Sequence, residues 1–337
     1  MAINSRYTVE KCSVSDIAAV MKFFGENHDS SHVLASNRQF VDWQYYVPDA
    51  EQYNILIAKD ESGILGLLAY IPNTFFDRAI PRALQFIWTA NWLVKKAYKG
   101  FVGLDLFYSL PKYENCEALG IVGLTDEAGM FYEKMGYRVG KLDQYFFVNQ
   151  HVNHFKILSG YEHTGRQMPC VTNDTRHLSP CVLSSPLILE YINASKPYKS
   201  RNFFEKKYVK NPFYKYFLYG ITVAGEVAAV LVCRVVQHNG TNVVRLVEYI
   251  GRAEYLAEAR LQDILEDHNA EYIDFYCAGI SHDTLSQAGF LLNTGARGLI
   301  VPSYFEPFQN TNIEIAYAYR FPACCIFKGD GDRDHPR

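Results

Sequence analysis

Ala128-Gly129-Met130-Phe131-Tyr132-Glu133-Lys134-Met135-Gly136-Tyr137 reads as the body and the stop of one helix. The apolar positions recur at helical spacing, and glycine at 136 is the residue that best tolerates a left-handed C-terminal turn. The helix is expected over Thr125–Met135. A short strand, Ala118–Leu124, leads into it, and two strands, Tyr137–Gly140 and Gln144–Asn149, follow it.

Upstream, Arg6–Cys12 alternates like a strand, and Ser13 with Asp16 marks a helix start. Ile17, Val20, Met21 and Phe24 then carry a first helix to about Gly25. Glu26–His32 is a polar loop, and a second helix is expected around Arg38–Tyr46. Tyr53–Lys59 and Ile64–Ile71 form a hairpin about Asp60-Glu61-Ser62-Gly63. Gln85–Val94 is a further apolar strand, running through Lys95–Gly103 into a helical Leu104–Leu110. The resulting order is β-α-α-β-β-β-α-β-α-β-β. Where strand, loop and helix meet near Gly100, unpaired backbone N–H groups at a helix start offer an anion site. Glycine allows close approach of a phosphate, and Lys96 and Lys99 add charge.

That order, together with two local patterns, resembles the GNAT superfamily of N-acyltransferases. Trp92–Gly100 is similar to the family's strand that enters the pyrophosphate loop, usually V-x-P-x-(aromatic)-R-G. Lys99 falls on the basic position and Gly100 on the glycine, whereas Lys96 replaces proline, and Val102 and Leu104 replace glycine or alanine. Residues 128–137 resemble the family's A-x-x-F-Y-E-K-x-G-F segment almost position for position. The resemblance implies acyl-CoA as co-substrate, held by Trp92, Leu93, Val94, Lys99, Gly100, Phe101, Val102, Gly103 and Leu104. It also implies that the backbone of the strand around Trp92–Val94 pairs with pantetheine and polarises the thioester. By the same resemblance, Tyr132 protonates the leaving thiolate.

Arg201–Arg320 repeats the layout: a hairpin of Tyr216–Val223 and Val227–Val236, then strand Val243–Ile250, helix Ala253–Leu265 and strand Tyr272–Ala278. Leu285–Phe290 aligns with Tyr132–Tyr137, and further strands are expected near Gly298–Val301 and Ile313–Tyr319. The glycine-lysine loop is missing here, Glu254 and Glu258 would repel a pyrophosphate, and Leu285 stands in place of Tyr132. The expected fold class is therefore α/β (α+β): two tandem GNAT-like domains, each a mixed, mostly antiparallel twisted sheet flanked by helices. Residues 1–150 would bind acyl-CoA, and a degenerate domain over 151–337 would shape an acceptor site or an interface. The segment around Gln150–Ser200 is expected to hold the first strand and helices of the second copy.

Apolar residues make up 49% of the chain and the formal charge is −3, so no global positive field draws it to nucleic acid. No apolar run reaches membrane-helix length. The eight cysteines include no CxxC, so neither a metal nor a disulfide framework is expected, and a cytoplasmic setting fits. The doubled layout most resembles bacterial nucleotide-linked amino-sugar N-acyltransferases, which implies an amino sugar on a nucleotide, dTDP above all, in surface-polysaccharide (O-antigen or capsule) biosynthesis. A homodimer is left open. The amine must lose a proton, and Ile87–Val94 carries no base. Asp29 and His32 in the loop, or Glu248 on the second copy's central strand, are the candidates. Arg201, Lys206 and Lys207 are candidates for a nucleotide diphosphate, or a solvated basic helix face. Two alternatives remain: an aminoacyl-tRNA-dependent cell-wall peptidyl transferase, and a non-catalytic ligand-sensing protein with two decayed copies.

Overall fold

The computed structural model describes residues 7–98, 100–162, 175–177, 180–323, 325–332 and 334. The first half contributes β1 (Thr8–Ser13), α1 (Ile17–Asn27), α2 (Val33–Ser36), α3 (Arg38–Tyr45), β2 (Gln52–Asp60), β3 (Gly63–Pro72), β4 (Ile87–Val94), α4 (Phe101–Glu114), β5 (Leu119–Leu124), α5 (Asp126–Lys134) and β6 (Arg138–Val148). The second contributes β7 (Thr175–His177), α6 (Pro186–Ala194), β8 (Tyr216–Val223), β9 (Glu226–His238), β10 (Thr241–Gly251), β11 (Ala270–Ala278) and β12 (Ile315–Tyr319). The strands form one continuous sheet in the order β1-β2-β3-β4-β5-β12-β6-β11-β10-β9-β8-β7. Among the described residues, no helix is long and apolar enough to cross a membrane.

Alternation along the strands builds two cores on opposite faces. In β2, Ile55 and Ile57 pack toward α1 and α3, while Leu56 and Ala58 join the face covered by α4. The α1 side runs on into Phe203, Val230 and Val247 of the second half, so one core spans both. Turn chemistry sets the hairpins. Asp60 accepts from the backbone N–H and the hydroxyl of Ser62 before Gly63 at φ 110°. Ala224-Gly225 and Asn239-Gly240 both carry the positive φ pair that a two-residue turn between twisted strands requires.

Two strand expectations need correction. Tyr137–Gly140 and Gln144–Asn149 are not two strands but one, β6. Its first part, Arg138–Leu142, pairs with β12, and its last part, Asp143–Val148, pairs with β11. The halves thereby exchange strands across the expected division at residue 150. β12, from the end of the chain, completes the first half between β5 and β6. The end of β6 lies between β11 and the short strand Leu291–Leu292 of the second half. Gly140 permits the passage, because a Cβ there would sit 2.6 Å from the Tyr317 hydroxyl oxygen. The expected strand near Gly298–Val301 is instead a short turn, Ala296–Gly298, with one bridge between Ile300 and Ser159.

Candidate active site

β4 and β5 run parallel only at Ile87–Leu119, Trp88–Gly120 and Thr89–Ile121, and then diverge. Each wall of this splay carries an irregularity. On β4, Ala90 and Asn91 together face the single residue Ala69 of β3, a β-bulge between the pairs Tyr70–Thr89 and Leu68–Trp92. On β5, Gly123 at φ 86° is the extra residue between the pairs Val122–Tyr317 and Leu124–Ala316. The splay opens into a cleft of about 480 Å³. Ala90, Asn91, Trp92 and Gly123–Thr125 supply its walls, Gln44 lies at its base, and His28 and His32 close one side.

The family-implied donor residues fall along one edge of the splay. Trp92, Leu93 and Val94 pair on one side with Leu68, Leu67 and Gly66. Lys99 lies outside the described residues. Gly100 is the N-cap of α4 at φ 101°, and no side chain caps the helix among the described residues, so its first N–H groups keep their polarity for an anion. Phe101 is 67% exposed, Val102 is buried in the core, and Leu104 sits at the surface. Gly103 lies over the Trp92 indole, where a Cβ would come within 3.3 Å of the ring. The buried Trp92 Nε1–H has no acceptor among the described residues. An unpaired buried donor of this kind costs roughly 1–3 kcal/mol.

Tyr132 requires correction as general acid. It is fully buried among Phe107, Phe131 and Tyr137, and its hydroxyl lies 3.2 Å from Thr89 Oγ1. Thr89 in turn donates to the Gly120 carbonyl at 3.1 Å, so the phenol is the donor to Thr89. Burial pushes the Tyr132 phenol up to about 12, against a smaller opposing effect of the Thr89 bond. Giving a proton from there to a thiolate near 8.5 climbs roughly 5 kcal/mol. The helix match is real, but this face of α5 is core. Tyr132→Phe is expected to cost about 0.5–1.5 kcal/mol of stability and to leave turnover within about three-fold. Paired thermal-unfolding and turnover measurements check this, and a hundred-fold loss of turnover would return Tyr132 to the chemistry.

The three proposed bases also move. Asp29 is exposed and caps its own turn, accepting from the Ser31 N–H at 2.8 Å and hydroxyl at 2.7 Å. Those bonds hold its carboxyl below the ordinary range, which makes it a weaker base. His32 does reach the cleft, but its Nδ1 accepts the Leu34 N–H at 3.2 Å. The neutral ring therefore carries its proton on Nε2 and presents a donor rather than a base. Glu248 lies in the interior, bound to Lys199 Nζ at 2.9 and 2.8 Å and accepting from Tyr208 at 3.1 Å. It does not line the cleft.

Sequence reasoning missed the two carboxylates that do, Asp332 and Glu314. Asp332, on the C-terminal tail, lines the cleft and accepts from Asn91 Nδ2 at 3.0 Å. Beside it, Gln44 Nε2 donates to the Tyr45 hydroxyl at 2.7 Å, while Gln44 Oε1 is buried without a partner among the described residues. Glu314 also lines the cleft but is held by Lys141 at 2.6 Å and is largely exposed. The cleft therefore offers a half-buried carboxylate, a group suited to the N–H groups of an amine.

The tail that carries Asp332 first fills the matching splay of the second half. β10 and β11 are last paired at Leu246–Phe275. Beyond that point, Ile326–Phe327 pairs with β11, Lys328 N–H bonds the Tyr276 carbonyl, and Gly329 N–H bonds the Val247 carbonyl. The gap between β10 and β11 is therefore occupied by the chain's own tail. Buried charges clamp this tail: Asp330 to Lys199 at 2.7 Å, and Asp334 to Arg234 and Arg245, each at 3.3 Å. Arg201 and Lys206 remain exposed on their helix, whereas Lys207 is buried and donates to the Gly329 and Gly331 carbonyls of the tail. Among the described residues, no group of three or more His, Cys, Asp or Glu is placed to hold a metal ion.

No protein-family model matches the sequence, and no curated protein matches it. Solved structures do. A GCN5-related N-acetyltransferase from Anabaena variabilis matches at 10% identity with a TM-score of 0.59, over 94% of this chain and 72% of that one. A protein from Enterococcus faecalis described as a probable N-acyltransferase matches at 9% identity and 0.55, over 92% and 72%. The glucosamine N-acetyltransferase region of a fungal multi-domain β-N-acetylglucosaminidase matches at 11% and 0.53, over 95% of this chain and 38% of that one. At these identities the likeness is one of fold. The chain has the fold of the GCN5-related N-acetyltransferases over most of its length.

Proposed function

We propose that this chain transfers an acyl group from acyl-CoA to a primary amine bound in the first half's cleft. The observation that carries the reading is the bulged splay of β4 and β5 with the Asp332 carboxylate fixed on Asn91 at its bulge. Pantetheine lies along the free edge of β4, and its diphosphate meets the uncapped start of α4. Asp332 takes a proton from the bound ammonium, and the freed amine attacks the thioester carbonyl carbon. The C–S bond breaks, the amide forms as the nitrogen gives up its second proton to solvent, and the departing thiolate takes a proton from solvent. No covalent acyl-enzyme is formed. Cys277 is buried, and its thiol is pushed well up by that burial.

For the acceptor, we keep an amino sugar carried on a nucleotide, dTDP first. The support is chemical: an acidic, amide-lined cleft suits a hydroxylated amine. One structural neighbour is named for glucosamine acetylation. The test is thiol release from acetyl-CoA by the full chain against dTDP- and UDP-linked amino sugars and free glucosamine, with aminoacylated tRNA as the rival donor. Acetyl-CoA-dependent thiol release with one of these amines supports the reading. Silence toward every amine, with no heat on titrating coenzyme A, leaves the non-catalytic sensor.

A further inference from the structure

Asp332 lies beyond Ile326–Phe327, the last strand among the described residues, so the bonds made to the residues just before it set where its carboxylate goes. Asp330 is held through its side chain by Lys199. The main chain on either side of Asp330 is held by one group, Lys207 Nζ, which donates to the Gly329 carbonyl and, at 3.3 Å, to the Gly331 carbonyl. Gly331, at φ 62°, then turns the chain through the left-handed region that glycine tolerates. The next residue is Asp332, on Asn91 Nδ2.

An irregular helix brings Lys207 there. Arg201–Phe204 is α-helical, but Glu205–Val209 opens into a π turn, closed by the Lys210 N–H on the Glu205 carbonyl at 2.8 Å. Such turns are rare and recur at functional sites. In this one, two consecutive side chains reach the same tail carbonyl, that of Gly329: Lys207 Nζ and, at 3.5 Å, the Tyr208 hydroxyl. Lys207 is 7% exposed, yet among the described residues its ammonium bonds backbone carbonyls and no carboxylate. Burial, the largest influence, lowers its value to about 8, with Asp330 opposing from further off. A buried cation without a bonded carboxylate is a poor way to stabilise a fold.

We propose that Lys207 is a positioning residue for acyl transfer: by tying the carbonyls on both sides of Asp330, it fixes the turn that presents the Asp332 carboxylate to the acceptor amine. The proposal rests on the reading of Asp332 as the base and adds to it the group that sets that carboxylate's place.

Thiol release from acetyl-CoA by the full chain, with whichever of the amines named above reacts fastest, tests this in a double-mutant cycle. Lys207→Met is expected to lower kcat by about 10–100-fold, the scale of a reacting group displaced by about an ångström, and to leave KM for acetyl-CoA within about two-fold. In an Asp332→Asn background the same substitution should change the residual turnover by less than about two-fold, because the carboxylate it would misplace is gone. Losses that multiply in the double variant, or a wild-type kcat in Lys207→Met, make Lys207 a packing residue and overturn the proposal. Denaturant midpoints show which variants fold. Lys207→Gln, which keeps an N–H donor on a shorter side chain, carries the same cycle if the Met variant does not fold. If neither folds, the role is structural and the proposal fails. Wild-type turnover in Asp332→Asn alone sinks the base reading and takes this proposal with it. A loss there, without one in the folded Lys207 variants, sinks this proposal alone.

Discussion

Asp332→Asn is expected to lower acyl transfer by about 10²–10⁴-fold, the scale of a lost positioned base, with coenzyme A affinity nearly unchanged. The substitution keeps the shape of the side chain and an oxygen for Asn91 Nδ2, so the 3.0 Å contact has a direct replacement. What it removes is the capacity to accept the ammonium proton at the bulge. His32 is a poor substitute while its Nδ1 caps the Leu34 N–H. Glu314 is held by Lys141 toward solvent. Steady-state turnover across pH, beside a coenzyme A titration, separates the cases. A variant with wild-type turnover would show that the tail's carboxylate is an ornament of the cleft wall. Equal losses in coenzyme A binding and turnover would mean that Asp332 shapes the donor groove instead.

Lys199→Met is expected to give a large loss of stability, about 3–5 kcal/mol, because it breaks a buried ion cluster from one side. Lys199 is 4% exposed and lies between Glu248 and Asp330, both within 2.9 Å. Burial alone would lower its affinity for a proton, but Asp330 and Glu248 more than offset this, and its folded value lies above that of an ordinary lysine. A raised lysine contributes stability at every pH below its unfolded value, so the contribution is intact at neutral pH. Glu248 is raised as well, by burial first, with Lys199 opposing. Without Lys199 the buried Glu248 carboxylate loses that cation and keeps the Tyr208 hydroxyl, and protonation of Glu248 relieves the loss. The variant's deficit should therefore shrink as pH falls from 8 toward 5. Denaturant midpoints at both pH values measure it, and a deficit independent of pH would mean that the cluster acts by packing.

The outline of the fold was legible because its local signals agree. The stop at Gly136, the Asp60–Gly63 turn and the alternation of β2 and β3 each point to one structure. Partner choice was not legible. β6 reads as two short strands because nothing in residues 138–148 tells that its first part pairs with β12 and its continuation with β11. The bulge at Ala90–Asn91 carries no glycine or proline to betray it, yet it locates the cleft. Tyr132 shows the limit of a matched pattern. Residue identity marked the helix correctly, while the packing of Phe107, Phe131 and Tyr137 decided that its hydroxyl stays inside. Lys328-Gly329-Asp330-Gly331-Asp332 has the composition of a solvated end. Its burial follows from cations on distant elements, Lys199, Arg234 and Arg245, whose convergence no window of sequence contains.

The interleaving of β12 between β5 and β6 bears on how the molecule is born. During synthesis, everything up to residue 314 emerges before the strand that fills this slot. Until then two facing rows of amide and carbonyl groups stand open, an invitation to mispairing with other nascent chains. Contacts between residues so far apart close slowly. The first half's sheet is thus completed only after the second half has been made.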